Sequence, residues 1–505
     1  MIEQTQIHGP LLARNTMLNL IGSAVPAGMA LLVTPYVIHG LGVERFGILS
    51  LAWAILWYSS YFDLGLNRAT TKFSSEAISK GQHAKIPAIL WTSLGIQTLL
   101  GFLAAGAIVV VTPFLVDTVL RIPAGLARET ELTFFGIGAT IPFFLGSGIL
   151  SALLAGVHRF DLVNAVKIPG NSTMFLFPAL GVYLGYSLPG IIALLLLSRV
   201  FVALALLLMC VKIFPGLISG RKRDASITGP LLKFGGWVMV CNVLIPVLVY
   251  VDRFVIGALI SIAAVAYYSV PYEVVSRLQI VPGSIGTALF PALISLSVEA
   301  RGRLKRLYMR SLKTVLLLIV PSAALLAIFA REGLRIWVGA DFAAHSARTL
   351  QVLSIGLVLN GLSQMPANLL DAVGRPDLRA KVFLVYLVPY LAALWFCTRH
   401  FGILGAAIAW TLRGAVELIL FVLATSRLLR LPVLALAENG MMRAIATCGG
   451  LAVCLLFVSS IMSGGIVLHG LMDFTGVLAF AAVTWRFVLD GTDRQSLLSV
   501  IGGQR

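Results

Sequence analysis

Residues 187–211 read SLPGIIALLLLSRVFVALALLLMCV, and the fold follows from where such a stretch can exist. It carries a single charge, Arg199, in an otherwise uncharged run. A helix of this sequence would be apolar on every side. Crossing the hydrocarbon of a bilayer takes about 20 mostly apolar residues in a helix that satisfies its own backbone. The stretch therefore reads as a membrane span.

Working outward, similar stretches recur along most of the 505 residues. Candidate spans fall at roughly 15–38, 47–66, 87–111, 132–154, 165–184, 187–211, 234–256, 262–295, 314–330, 349–371, 382–398, 403–426, 444–463 and 470–489. That predicts an all-α integral membrane protein of about fourteen transmembrane helices. The composition agrees, with 59% hydrophobic and 12% charged residues. The connections are too short to hold a separate soluble domain, which argues against soluble catalytic readings.

The net charge of +17 invites a nucleic-acid reading, but the placement of the charge opposes it. Most lysines and arginines lie at the termini and in the even-numbered gaps, with runs at Arg68–Lys85, Arg221–Arg223 and Arg301–Lys313. Odd-numbered gaps hold seven: Arg45, Arg121, Arg128, Arg331, Arg335, Arg348 and Arg399. This asymmetry is the positive-inside pattern. It predicts both termini in the cytoplasm and basic gaps facing anionic headgroups. The expected partners are membrane lipid and a membrane-borne substrate, with no nucleic acid. The cysteines, Cys210, Cys241, Cys397, Cys448 and Cys454, lie in or beside apolar spans without CxxC spacing. They read as small apolar side chains.

The chain also repeats itself. Arg-Phe-Asp-Leu at 159–162 returns as Arg-Pro-Asp-Leu at 375–378, an offset of 216. Gly190 and Gly405 are offset by 215, Arg199 and Arg413 by 214, and Val43–Gly47 aligns with Ala263–Ala266 near 219. Two parallel six-helix repeats follow, because both halves start on the cytoplasmic side. The expected organisation is an N-lobe at 1–220 with helices 1–6, a C-lobe at 221–432 with helices 7–12, and a 433–505 segment with two extra helices and a cytoplasmic tail.

Charge at depth is the functional signal. An ionisable group at the centre of a bilayer costs at least about 2.5–3.5 kcal/mol, so it faces a cavity or a partner. Arg199, Arg253, Arg277 and Arg413 lie within spans and are the candidate substrate-binding residues. Asp63, Asp252, Glu273 and Glu417 are the candidate coupling or charge-pair residues. Glu273–Arg277 and Arg413–Glu417 are spaced to pair along one helix face. Asp252 and Arg253 are adjacent, point apart, and are not expected to neutralise each other. The planar guanidinium offers bidentate hydrogen bonds to phosphate, so a cavity with these arginines suits a pyrophosphate-linked ligand better than a cationic one. There is no P-loop, no His/Cys metal cluster and no catalytic triad. No cofactor, metal or catalytic residue is expected.

Further motifs point to a family. Thr34–Ile38 (TPYVI), Leu41–Gly47 (LGVERFG) and Phe62–Leu66 (FDLGL) belong together, with Asp252–Gly257 (DRFVIG), Ala266–Ser269 (AYYS) and Gly374-Arg375-Pro376. This set resembles the polysaccharide-exporting branch of the multidrug/oligosaccharidyl-lipid/polysaccharide flippase superfamily, the branch of O-antigen and teichuronic-acid flippases. Lipid II flippases of that superfamily carry arginines in helix one, where this chain has none between Asn15 and Ile38. The resemblance implies two lobes around a cationic cavity. It implies alternating access that carries a polyprenyl-pyrophosphate-linked oligosaccharide from the inner to the outer leaflet of a bacterial inner membrane, for surface polysaccharide such as O-antigen or exopolysaccharide. A polysaccharide polymerase or ligase complex is a further candidate partner. The alternatives are a drug or cation antiporter of the same superfamily and, from another class, a membrane glycosyltransferase, polymerase or ligase. The last would need a long periplasmic loop, and none is evident.

Overall fold

The computed structural model describes residues 26, 28–59, 63, 65–157, 159–219, 236–299, 301–429, 441–461, 475–476, 479–480 and 482–488. About half of the first and of the last expected span lies outside the described residues, as do the basic run at 221–223 and the expected lobe boundaries at 220/221 and 432/433. Among the described residues all regular structure is helical. Six helices among the described residues are long and apolar enough to cross a membrane: His83–Val119, Ala124–Gly156, Leu188–Ile213, Gly302–Ile328, Ala340–Ala372 and Pro376–Leu429. Their outer faces are hydrocarbon. Leu99, Phe102, Val110, Leu197, Phe201, Leu204 and Leu208 are all mostly exposed. In water such continuous apolar surface would be untenable; in lipid it is solvated.

Two compact units divide the chain, Met1–Ala266 and Tyr267–Arg505. The first contains α1 (Gly28–Leu41), α2 (Val43–Ser59), α3 (Leu66–Ser79), α4 (Ile86–Phe114), α5 (Ala124–Gly156), α6 (Phe160–Tyr183), α7 (Leu188–Ile213) and α8 (Gly236–Leu259). Helix α9 (Ile262–Leu278) begins in the first unit and ends in the second. The second continues with α10 (Ile280–Glu299), α11 (Arg301–Ile328), α12 (Ala330–Trp337), α13 (Ala340–Ala372), α14 (Pro376–Leu429) and α15 (Met441–Ile461).

Each unit is built around one helix. In the first, α5 packs against α2, α3, α4, α6 and α7; in the second, α13 packs against α10, α11, α12 and α14. Both central helices are 33 residues long and start 216 residues apart. Helices α2 and α9 are both 17 residues long and start 219 apart. Lipid tails give helices little hydrophobic reason to associate, so close packing of small residues matters. Accordingly, a Cβ on Gly101 of α4 would run into Pro142 of α5, and one on Gly356 of α13 into Trp410 of α14.

The two Arg-x-Asp sequences form one local structure twice. The Arg159 N–H donates to Leu154 O at 2.9 Å, and the Arg375 N–H to Leu370 O at 2.9 Å. Each side chain then clasps the aspartate that opens the next helix, Nε to Oδ1 at 3.0 Å for Arg159–Asp161 and 2.9 Å for Arg375–Asp377. The hydrogen bond from Arg159 holds the Asp161 carboxyl below its ordinary range.

Two expected spans differ in detail. The stretch 262–295 is not one helix but breaks at Gln279, between α9 and α10. Pro282 has no N–H to donate to Leu278 O, so the ladder cannot run through. Conversely, spans eleven and twelve run on as α14, which turns at Gly402 with φ 61° and ψ −142°, a conformation open essentially to glycine alone. Beyond the turn Gly405 lies directly on the Cys397 carbonyl, where a Cβ would not fit.

Candidate functional site

The sequence-predicted charges fall into separate groups. In the first unit, Asp63 closes the turn before α3, its Oδ1 accepting the Gly65 N–H at 3.0 Å. Asp252 of α8 is fully buried, at 0% exposure. Its Oδ1 accepts the backbone N–H of Arg253 at 2.8 Å and, contrary to expectation, the Arg253 guanidinium at 3.4 Å. Adjacent helical residues do point apart, but arginine is long enough to fold back. Its Nη1 also reaches Val249 O at 3.2 Å, and the guanidinium lies 5.4 Å from the centre of the Tyr250 ring.

Arg199 stands midway along α7, 4% exposed, on the face that packs into the unit. Its guanidinium lies 5.3 Å from the centre of the Phe144 ring of α5. Beside it, Ser198 and Thr173 of α6 share a hydrogen bond at 2.8 Å. Sequence reasoning passed over one further cation at depth, Lys167 of α6. The signal was in plain view, a lysine three residues inside the span expected at 165–184.

In the second unit, Glu273 and Arg277 of α9 form the expected pair one turn apart, both partly exposed. The other expected pair is part of something larger. Arg413 of α14 is 8% exposed and donates from Nη2 to Asn360 Oδ1 of α13 at 3.1 Å. Its guanidinium lies 5.4 Å from the Tyr390 ring and 5.8 Å from the Trp410 ring. Glu417, one turn on, accepts from Tyr386 OH at 3.0 Å and from Ser363 Oγ at 3.4 Å. Asn360 is itself held by Gly356 O at 2.8 Å. The result is a buried polar core of hydroxyls, an amide and a cation, with an acid inside an apolar bundle. The sequence did not single out Asn360 and Tyr386; they join the group only because α13 and both arms of α14 converge.

Each unit also has a hydrocarbon-lined groove. One, of about 600 Å³, lies among α2, α4, α5 and α8, with Tyr58, Leu103 and Phe254 in its wall. The other, of about 710 Å³, lies among α11, α13 and α15, with Leu316, Ile355 and Cys448 in its wall. Among the described residues no three His, Cys, Asp or Glu side chains group as a metal site.

The described residues thus form a multi-pass helical bundle with buried arginines and hydrocarbon grooves. A solved structure described as the inward-facing conformation of a multidrug resistance MATE family transporter of the MOP superfamily shares this fold. It covers 83% of this chain and 99% of that one, with TM-score 0.71 and 15% identity. In sequence, a Shigella flexneri protein named as an O-antigen transporter is 31% identical over 408 residues, 81% of this chain and 96% of that protein. A Haloferax volcanii protein named as the flippase AglR is 22% identical over 405 residues, covering 79% and 80%. The profile of the family described as "Polysaccharide biosynthesis protein" matches residues 12–297. The chain belongs to that family.

Proposed function

We propose that the protein is a flippase for a polyprenyl-pyrophosphate-linked oligosaccharide, acting by alternating access in the synthesis of a surface polysaccharide. It is a transporter and not an enzyme. The observation that carries the reading is the sign of the charge at depth. The predicted site residues Arg199, Arg253, Arg277 and Arg413 bring cations into apolar helices, and an anionic headgroup is the ligand that offsets the cost of keeping them there. A cationic drug would meet repulsion, which disfavours the antiporter reading.

In this reading Arg253 and Arg277 exchange their carboxylates, Asp252 and Glu273, for the diphosphate. Both carboxylates lie on the arginine's own helix, so the exchange needs no refolding. The two halves of the chain act as the parallel six-helix lobes of a fourteen-helix protein in a bacterial inner membrane, with both termini cytoplasmic. A polymerase or ligase complex receives the product.

The test is surface polysaccharide in a strain that depends on this gene. Arg253→Ala and Arg277→Ala are expected to abolish it while the protein still reaches the membrane. Lysine at either position is expected to restore it only in part, since it keeps the charge and loses the fork. Wild-type export from the double alanine variant would overturn the assignment.

A further inference from the structure

The two hydrocarbon grooves share a floor. Leu100, Ala104 and Ala107 of α4 line the first, and at an offset of 216 Leu316, Val320 and Ala323 of α11 line the second. The match runs on to Thr112 and Ile328. The remaining walls differ. Tyr58 of α2 and Phe254 of α8 border the first groove, whereas Ile445, Cys448 and Gly449 of α15 border the second. Cys448 Sγ reaches Leu316 O at 4.0 Å, and Met441 packs against the cluster that holds Met309 and Leu312. Helices α11 and α15 therefore start at the same end of the second groove.

The sharper difference is charge at that end. Arg306, Arg310, Lys313, Val320, Ala324 and Ala327 follow one another at spacings of four, three, seven, four and three, which places them on one face of α11. The basic residues and the groove floor are one stripe. The same positions of α4 are Leu90, Leu94, Gln97, Ala104, Ile108 and Val111, with no charge among them. No Asp or Glu occurs between Arg301 and Arg331, nor between Met441 and Ile461. Arg306 is exposed, Arg310 is half-buried, and the buried Lys313 donates from Nζ to Val488 O at 3.5 Å. A positive-inside signal needs charge only in the gap between spans. Arg310 and Lys313 are the tenth and thirteenth residues of a 28-residue helix, so orientation leaves their depth unexplained.

We propose that the second groove is a binding site for an anionic glycerophospholipid of the surrounding bilayer, with one acyl chain along α11, α13 and α15 and the phosphate against Arg306 and Arg310. From Leu316 to Ile328 the floor rises about 18 Å at about 1.5 Å per residue, close to the roughly 15 Å of one leaflet's hydrocarbon. The six residues from Arg310 to Leu316 add about 9 Å, which leaves room for the glycerol backbone. The guanidinium fork suits phosphate oxygens. The excess of positive charge selects lipids of net negative charge over zwitterionic ones, and Lys313 adds a third charge on the same face. The site lies outside the flippase reading, since no step of translocation draws on it.

The test uses the full chain, delipidated in detergent, and reads binding and thermal midpoint with four probes: dioleoyl-phosphatidylglycerol, dioleoyl-phosphatidylcholine, glycerol 3-phosphate and undecaprenyl phosphate. Phosphatidylglycerol is expected to bind at least about tenfold more tightly than phosphatidylcholine and to raise the midpoint. Equal affinity of the two overturns the site. So does a matching response to glycerol 3-phosphate, which would make it a site for free phosphate. Tighter binding of undecaprenyl phosphate would give the groove to the carrier lipid and also overturns the proposal. Gly449→Phe fills the groove from its wall. Nothing lies within 4 Å of a carbon added at Gly449, so the lipid-free midpoint is expected to stay at the wild-type value. This variant and Arg306→Gln/Arg310→Gln are each expected to bind phosphatidylglycerol at least about tenfold more weakly; undiminished binding by either overturns the proposal. Should the double variant melt lower without lipid, Arg306→Gln alone serves as the charge arm, because Arg306 has no ion-pair partner among the described residues. Its expected loss is about fivefold, and no loss overturns the site. Arg331→Gln removes the same charge beyond the far end of α11 and is expected to bind as wild type. An equal loss there would show a bulk charge effect, and the site falls.

Discussion

At the scale of single residues, the second unit shows how a membrane bundle keeps an arginine and a glutamate one turn apart. Arg413 and Glu417 do not rely on each other alone; Asn360 accepts from Arg413, and Tyr386 and Ser363 donate to Glu417. Removing one member of a buried pair typically costs about 3–5 kcal/mol, because the survivor is left charged. Arg413→Met is expected to lower the thermal midpoint sharply, and Glu417→Gln less, since a glutamine oxygen still accepts from Tyr386. The double variant is expected to lose less than the two singles together, as for groups that share a network. Strict additivity in melting experiments would show that the two side chains act independently. Much of this was legible in the sequence. The spacing of Glu273 and Arg277 announced their pairing, and the four arginines were visible as charges inside spans. Asn360 was not, since it lies 53 residues before Arg413 and only the packing of α13 on α14 brings it there. The Asp252–Arg253 contact was misread because Cα–Cβ directions say little about a side chain as long as arginine.

At the scale of elements, glycine decides where helices turn or touch. The turn in α14 depends on Gly402 for its backbone conformation and on Gly405 for its closeness to Cys397. Gly405→Ala has no flexible neighbour to displace, only a carbonyl. It is expected to reduce the yield of folded protein severely, whereas Gly449→Ala, with nothing within 4 Å of the added carbon, is expected to express normally. Equal yields in size-exclusion profiles would show that the hairpin can open without penalty. The sequence carried the position of this turn, in the gap between two apolar runs. It carried the break at Gln279 less clearly, because the responsible proline sits three residues later and several other prolines lie inside continuous helices. Pro142 in α5 and Pro366 in α13 are two such cases. Proline is tolerated in membrane helices often enough that its presence does not fix a boundary.

At the scale of the whole molecule, the match between the two Arg-x-Asp sequences was legible because its marks are backbone features. Arg159 and Arg375 end one helix and open the next by the same hydrogen bonds, so the chain could not drift there without losing the turn. The neighbours of Arg199 and Arg413 differ, which is why the offsets look weak when read residue by residue. The equal length of α5 and α13 has a consequence of its own. At about 1.5 Å per residue, 33 helical residues make a rod of about 50 Å, set against a hydrocarbon layer of about 30 Å. Each hub is therefore too tall for a thin membrane if upright, and must lean or stand proud of it. Bilayer thickness should then act as a dial on the protein. In vesicles made from phosphatidylcholines of increasing acyl length, translocation is expected to pass through a maximum, and a flat response from the thinnest lipid to the thickest would show that both hubs ride free of the membrane around them.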